Sequence, residues 1–200
     1  MVPFEVDEIN LARGIDIGRR LRGARSQLIA VLYDDEVLTI QKHCKLRFEA
    51  TVVNAYTGWA SQEYTTEGAQ VPWAQESVKS LIVGTGVTGT SSSGWCYQLA
   101  SLSDVQLGAD LTTIGPHMFQ KCTAIEKIDI PSKVSLIAGS AFAECSSLVE
   151  AVFESSANWI YVANKLDIAG TTVDFTDAAI AASTLTNSDY YNGFFRRVGG

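Results

Sequence analysis

Residues 111–130 read Leu111-Thr-Thr-Ile114-Gly-Pro-His-Met-Phe119-Gln-Lys-Cys122-Thr-Ala-Ile125-Glu-Lys-Ile128-Asp-Ile130. Shifted by 23 residues, the seven apolar or cysteine markers of this stretch recur as Val134, Ile137, Phe142, Cys145, Leu148, Ala151 and Phe153. The opposite shift matches the last five markers to Cys96, Leu99, Leu102, Val105 and Leu107. A further unit, slipped by one residue, reads Val78, Leu81 and Val83. The chain therefore contains an internal repeat of 23 residues.

A period of 23 residues is typical of leucine-rich repeats, which run from roughly 20 to 29 residues. The spacing of Ile125, Ile128 and Ile130 predicts a short strand with alternate residues inward, and the Phe119 and Phe142 segments return as a turn or short helix. One repeat cannot bury its own apolar edge, so its neighbours and end caps must cover it. We predict a leucine-rich repeat solenoid with a β-rich N-terminal cap and a small α/β C-terminal cap. The predicted boundaries are 1–25 for an N-terminal arm, 26–77 for a β-hairpin and N-terminal cap, 78–154 for the repeats and 155–200 for the C-terminal cap.

The repeat resembles the BspA-like leucine-rich repeat family of bacterial surface proteins. The matching residues are Ile114-Gly115, Phe119, Cys122, Ile125, Ile128, Ile130-Pro131, Ala141-Phe142 and Cys145-Ser-Ser-Leu148. Upstream, Leu32-Tyr33-Asp34-Asp35-Glu36-Val37-Leu38-Thr39-Ile40 is similar to the hairpin that often precedes such repeats, with Glu36 at the family's turn glycine, and Pro72-Trp73 is similar to the Pro-Trp before the first repeat. The resemblance implies a bacterial cell-surface or adhesion setting, or a phage appendage that carries such repeats.

Local patterns predict the elements on either side of the repeats. Residues 28–33 and 37–41 are predicted as the two strands of the hairpin. Residues 159–162 and 172–175 are predicted as strands, and Thr176 or Asp177 is predicted to cap a helix that continues through Leu185. The aromatic residues Tyr190, Tyr191, Phe194 and Phe195 are expected to pack over the last repeat.

Charge is distributed unevenly along the 200 residues, whose formal net charge is −7. Residues 13–25 contain five arginines and one acid, and we interpret them either as an attachment arm or as a solvated, salt-bridged segment: Arg13, Arg19, Arg20, Arg22 and Arg25. The remaining acidic chain repels nucleic acid and anionic membranes, and its longest apolar run, 28–33, is too short to span a bilayer. The amino terminus lacks the pattern of a signal peptide, so we expect export within a larger assembly, with no nucleic acid and no membrane insertion.

Motifs for catalysis, metals and cofactors are weak. Gly84-Thr-Gly86-Val-Thr-Gly89 fits a dinucleotide-binding pattern, but Thr-Ser-Ser-Ser follows where a helix should start, so we expect a loop. The cysteines lack zinc-ligand spacing; buried free thiols at Cys122 and Cys145 are favoured over a disulfide between them. The histidines His43 and His117 are far apart and no nucleophile motif accompanies them. We expect no catalytic residue, no cofactor and no metal.

What remains is a surface for binding. The outward positions of successive strands are Asp104, Gln106, Lys127, Asp129, Glu150, Val152 and Glu154, which form either a binding face for a basic or hydroxyl-rich partner or a solvated sheet face. The aromatic residues Tyr56, Trp59, Tyr64 and Trp73 either contact glycans or form the core of a cap. We predict a non-catalytic attachment protein, a component of a phage virion or extracellular appendage. A bacterial cell-surface adhesin and a carbohydrate-binding module are the alternatives.

Overall fold

Short strands dominate the computed structural model, which describes residues 29–41, 52–56, 71–74, 77–89 and 94–199. The strands are β1 (Ile29–Tyr33), β2 (Val37–Gln41), β3 (Val52–Tyr56), β4 (Ser80–Val83), β5 (Asp104–Gln106), β6 (Thr113–Ile114), β7 (Lys127–Ile130), β8 (Leu136–Ala138), β9 (Glu150–Phe153), β10 (Trp159–Val162), β11 (Thr171–Val173) and β12 (Phe194–Arg197). Within these ranges the helices are α1 (Ala178–Thr186) and a short 3-10 helix at Ser188–Tyr190.

The strand register confirms the repeat. Parallel strands β4 and β5 pair Leu81 with Val105, a separation of 24 residues that matches the slipped unit. Parallel strands β7 and β9 pair Ile130 with Phe153, a separation of 23 residues. In β7 the burial alternates, with Ile128 inside and its neighbours exposed, because successive side chains of a strand point to opposite sides. In the described residues, β5 and β7 are adjacent but are not paired as strands.

Backbone hydrogen bonds join successive coils at two further places. On the side opposite β7 and β9, parallel strands β6 and β8 pair across 23 residues, and the Thr112 and Ser135 amides continue this ladder to the preceding coils. At the turns, the Cys96 amide donates to the Met118 carbonyl at 2.8 Å, and the Phe119 amide donates to the Ala141 carbonyl at 2.8 Å. The predicted return segments are thus turns. Hydrogen bonds between coils occur at three places, although β5 and β7 are not paired as strands.

Equivalent apolar side chains of the coils form one continuous core. The markers from Leu111 to Ile130 and from Val134 to Ala151 are buried. The rings of Phe119 and Phe142 stack with their centroids 5.3 Å apart. Because each marker packs against its equivalent one coil away, the periodic apolar positions specify both the strand direction and the core.

The cysteines of the repeats are buried and free, as predicted for Cys122 and Cys145. The Cys122 thiol donates to the Cys96 carbonyl at 2.9 Å, and the Cys145 thiol donates to the equivalent Phe119 carbonyl at 3.0 Å. Burial raises the pKa of Cys145 to about 12 and raises the pKa of Cys96 and Cys122 as well. These thiols are therefore small core residues with a local hydrogen bond.

The predicted hairpin is confirmed and leads directly into the repeats. Strands β1 and β2 are antiparallel, with Leu32 opposite Leu38, and β2 then pairs in parallel with β4. At the tight turn Glu36 adopts a left-handed φ of 61°, a conformation that favours glycine. Beyond the hairpin, Trp73 is fully buried and its indole N–H donates to the Trp95 carbonyl at 3.1 Å, so this residue belongs to the core.

The C-terminal segment only partly follows the predicted elements. Helix α1 begins after Asp177, whose carboxylate accepts hydrogen bonds from the Ala179 and Ile180 amides. The strand predicted at 172–175 lies instead at 171–173. After it, the Asp174 carboxylate accepts hydrogen bonds from the Thr176 amide and hydroxyl, and the ring of Phe175 stacks on Phe153 with centroids 4.4 Å apart. Strand β12, which the sequence did not predict, inserts between β8 and β10. It buries Phe195 but leaves Phe194 half-exposed on the outer surface.

Candidate binding surface

The outward side chains of β5, β7 and β9 form one exposed surface, here called the strand face. It consists of the residues that the sequence singled out, and each is exposed or half-exposed: Asp104, Gln106, Lys127, Asp129, Glu150, Val152 and Glu154. The register places Lys127 beside Glu150 and Asp129 beside Val152 on adjacent strands. The residues that alternate with these positions along each strand belong to the core, so the core holds the strand face in place.

Charges on the strand face are partly paired. The Lys127 ammonium lies 2.8 Å from a Glu150 carboxylate oxygen and 3.8 Å from an Asp129 oxygen, and these contacts raise the pKa of Lys127. Asp104 accepts a hydrogen bond from the Ser80 hydroxyl at 3.1 Å. Because these side chains are exposed, the pairs add little stability. With four carboxylates and one lysine, the strand face keeps an excess of negative charge.

A small pocket, here called the end pocket, lies where the strand face meets the C-terminal segment. Its volume is about 240 Å³. The lining residues are Ala151, Val152, Phe153, Glu154, Ser155, Ser156, Ala157, Phe175, Thr176 and Ala178. A Glu154 carboxylate oxygen accepts a hydrogen bond from the Ser132 amide at 3.0 Å, which orients this side chain. The sequence did not predict the pocket, because Phe175 and Thr176 come from outside the repeat and follow no period.

A larger groove, of about 800 Å³, lies on the opposite side of the coils. Leu136, Phe194 and Leu166 are among its lining residues. The Arg196 guanidinium donates to the Lys165 and Asp167 carbonyls, each at 3.1 Å, and so fixes the loop between β10 and β11. This loop presents Leu166 and Ile168 to solvent, 80% and 84% exposed. No sequence signal marked the groove, because it combines the outer side of β8 with a loop from the C-terminal segment.

The other predicted contact residues lie outside the described part of the chain. The five arginines of residues 13–25 belong to this group, as do Trp59 and Tyr64; His43 also lies outside the described residues. Tyr56 ends β3, of which only the backbone is described. The attachment arm and the glycan-contact set therefore stay predictions.

The glycine motif forms a loop after β4, as expected. The Gly86 amide donates to an Asp110 carboxylate oxygen at 3.0 Å, so a carboxylate occupies a position where a dinucleotide site would bind phosphate. Gly89 has a φ of 103°, and a Cβ there would lie 2.6 Å from the Thr113 carbonyl oxygen. These glycines therefore allow close contact between coils.

The described residues give little support for other chemistry. His117 is half-buried, with its Nδ1 atom 2.5 Å from the Gln120 amide oxygen. Within the described ranges, histidines, cysteines and carboxylates do not gather in any group of three or more that could hold a metal ion. In those same ranges, no helix has the length and apolarity that crossing a membrane requires.

Comparison with protein-family models matches residues 75–164 to the BspA type leucine-rich repeat region, with 6 copies. The repeats of this chain are BspA-type leucine-rich repeats. A search of curated proteins and a search of solved structures each returned no match. BspA-type repeats occur in surface and extracellular proteins, are typically non-catalytic, and point to protein–protein interaction or a surface role.

Proposed function

We propose that this protein is a non-catalytic attachment protein that binds a protein partner through the strand face. The observation that carries the proposal is the division of each strand into two sides. Ile128 and Ile130 pack into the core, whereas Lys127 and Asp129 of the same strand point to solvent. A rigid, regularly spaced row of side chains is suited to recognition, because binding then requires little ordering of the surface.

The composition of the strand face favours a protein partner of basic character. Four carboxylates against one lysine attract positive charge and speed its association. Val152, on the last strand of the face, is half-exposed between Glu150 and Glu154 and adds an apolar contact to a polar surface. Fold alone does not specify function, so the proposal rests on this surface and on the repeat type together.

The scaffold of the proposal is a solenoid formed by the BspA-type repeats. It is supported by the rung-to-rung hydrogen bonds on three sides of the coils and by the parallel register of β4 with β5 and of β7 with β9. We assign capping roles to the hairpin β1–β2 at one end and to α1 at the other, since the terminal repeats of such arrays need cover.

The setting that we propose is a virion or extracellular appendage, such as a phage tail, fibre or decoration protein. Extracellular use accords with the repeat type. The arginine-rich residues 13–25 offer a second, oppositely charged contact through which the chain joins its assembly. A bacterial cell-surface adhesin is the alternative setting, and co-purification of the protein with phage particles rather than with the cell envelope distinguishes the two.

Site-specific photo-crosslinking in the native host tests the proposed binding face. A photoreactive amino acid at Gln106 is expected to capture a protein partner that mass spectrometry identifies. The same amino acid at Lys165, on the opposite side of the coils, serves as the matched control. The charge reversal Asp129→Lys, combined with the Gln106 probe, is expected to abolish the captured species. Equal crosslinking from Gln106 and Lys165, or capture that is insensitive to Asp129→Lys, would contradict the proposal.

A further inference from the structure

The end pocket has the chemistry of a site for one basic side chain. Among the described residues that line it, Glu154 is the charged one, and Ser155, Ser156 and Thr176 add hydroxyl groups. Phe153 and Phe175 contribute aromatic carbon to the lining, and cations bind favourably beside aromatic rings. A volume of about 240 Å³ is below the roughly 300–1,000 Å³ of small-molecule sites, so one side chain is the appropriate size of occupant.

The helix terminus beside the end pocket does not reverse this preference for a cation. Ala178, the first residue of α1, lines the pocket, and a helix N-terminus carries partial positive charge. However, the Asp177 carboxylate accepts hydrogen bonds from the Ala179 and Ile180 amides at 2.9 Å each. A full negative charge therefore covers the helix end, and the Glu154 carboxylate determines which charge the pocket attracts.

The chain itself carries a segment of matching chemistry a few residues before β1 in the sequence. Residues 13–25 hold five arginines and one acid. The described chain begins at Ile29, which pairs with Gln41 at the carboxyl end of β2. Strands β2 and β4 are parallel, and Glu154 directly follows β9, so Ile29 and Glu154 lie at the same edge of the strands.

The reach of this segment matches the width of the strand face. From β1 to β9 the order is β1, β2, β4, β5, β7 and β9, and at about 4.8 Å per strand these five steps span roughly 24 Å. An extended chain covers about 3.3 Å per residue, so Arg25 lies within roughly 13 Å of Ile29 and Arg22 within roughly 23 Å. A fully extended segment is thus long enough for Arg25 to reach about as far as β5 and for Arg22 to reach about as far as Glu154.

We propose that residues 13–25 bind the strand face of their own chain and place an arginine side chain in the end pocket beside Glu154. The inference rests on the proposed function, because it gives that binding face a built-in competitor. A basic partner must displace the arginine-rich segment before it can bind, and displacement releases the segment for the contact with the assembly that we propose above. Attachment of the segment to the same chain raises its effective concentration at the face, so weak exposed ion pairs suffice to hold it.

Trypsin, which cleaves after arginine, measures this contact in the full-length protein. At low salt, cleavage after Arg20, Arg22 and Arg25 is expected to be about tenfold slower in the wild type than in the Asp129→Asn, Glu154→Gln double variant. About 1 M salt screens charges within roughly 3 Å, so the two cleavage rates are then expected to converge. The matched control Asp189→Asn removes a carboxylate outside the strand face and is expected to keep the wild-type protection. Circular dichroism checks that each variant is folded.

The remaining outcomes contradict either this inference or the proposed function. Equal cleavage rates in the wild type and the double variant mean that the segment does not bind the strand face. Protection that grows with protein concentration, together with salt-sensitive dimers in sedimentation, assigns the site to the segment of a second copy. Partner crosslinking at Gln106 is measured separately, so loss of tryptic protection with retained crosslinking rejects this inference alone. Retained protection without a crosslinked partner rejects the proposed function.

Discussion

The repeats and the C-terminal segment build their cores in different ways. In the repeats, each buried side chain packs against its own equivalent one coil away, as Phe119 does against Phe142. In the C-terminal segment, residues of unrelated positions converge, as Phe153, Phe175 and Phe195 do. The first kind of core can be read from a period, whereas the second depends on contacts between distant parts of the chain.

The variant with the largest expected effect tests whether the core of the repeats contributes most of the stability of the fold. Phe142→Ala removes a fully buried ring from the stack and is expected to lower the free energy of unfolding by about 3–5 kcal/mol. Phe194→Ala, in the C-terminal segment, removes a half-exposed ring and is expected to cost less than half of that. Urea denaturation monitored by circular dichroism measures both. Equal losses of unfolding free energy for the two variants would mean that the repeats and the C-terminal segment do not differ in this respect.

A smaller effect is expected where one coil touches the next through a glycine. Gly89→Ala places a Cβ 2.6 Å from the Thr113 carbonyl oxygen at a left-handed φ, and is expected to cost about 1–3 kcal/mol. Gly199 also has a left-handed φ but has no atom within 4 Å of an added Cβ, so Gly199→Ala is the matched control. If urea denaturation gives the same loss of unfolding free energy for both variants, close packing of the coils at Gly89 is not the cause of the destabilisation.

In the C-terminal segment, the helix cap is expected to contribute about 1 kcal/mol. Asp177→Ala removes the acceptor for the Ala179 and Ile180 amides, and thermal denaturation is expected to show a loss of that size. Asp177→Asn keeps an acceptor oxygen and is expected to retain most of the stability. If Asp177→Asn lowers the stability as much as Asp177→Ala does, then Asp177 stabilises the helix through its charge and not through its hydrogen bonds.

The smallest effect concerns an exposed pair that links two coils. The Lys133 ammonium lies 2.7 Å from an Asp110 carboxylate oxygen and, together with the Gly86 amide, lowers the pKa of Asp110. A lowered pKa in the folded state stabilises the fold above the ordinary aspartate pKa of about 3.9, and this contribution disappears as the pH falls through the folded value. Asp110→Asn is therefore expected to lower the urea midpoint at pH 7 and to leave it unchanged at pH 2. Lys133→Gln should reduce the pH-7 effect of Asp110→Asn, and an unchanged effect would refute the coupling.

The repeats could be predicted from the sequence to a greater extent than the C-terminal segment. The 23-residue period predicted the register of Ile130 with Phe153, the inward markers and the outward strand face, because one pattern determines all three. The hairpin and the start of α1 also followed from local patterns. The insertion of β12 between β8 and β10 did not, since no local signal specifies which distant strand edge a strand pairs with.

The candidate site also has a part that the sequence predicted and a part that it did not. Outward positions such as Asp129 and Glu150 were predictable from strand alternation alone. The end pocket was not, because it requires Phe175, which lies outside the repeat, to pack on Phe153. The groove was not predictable either, because it depends on Arg196 holding a loop that lies 29 residues away in the sequence at Asp167.

Helix α1 packs against β9, the last strand of the parallel ladder. An uncovered ladder end is a template on which another chain can add its own strand, and unlimited addition leads to fibres. A helix offers no strand edge, so in the capping role that we propose for it α1 limits the length of the array.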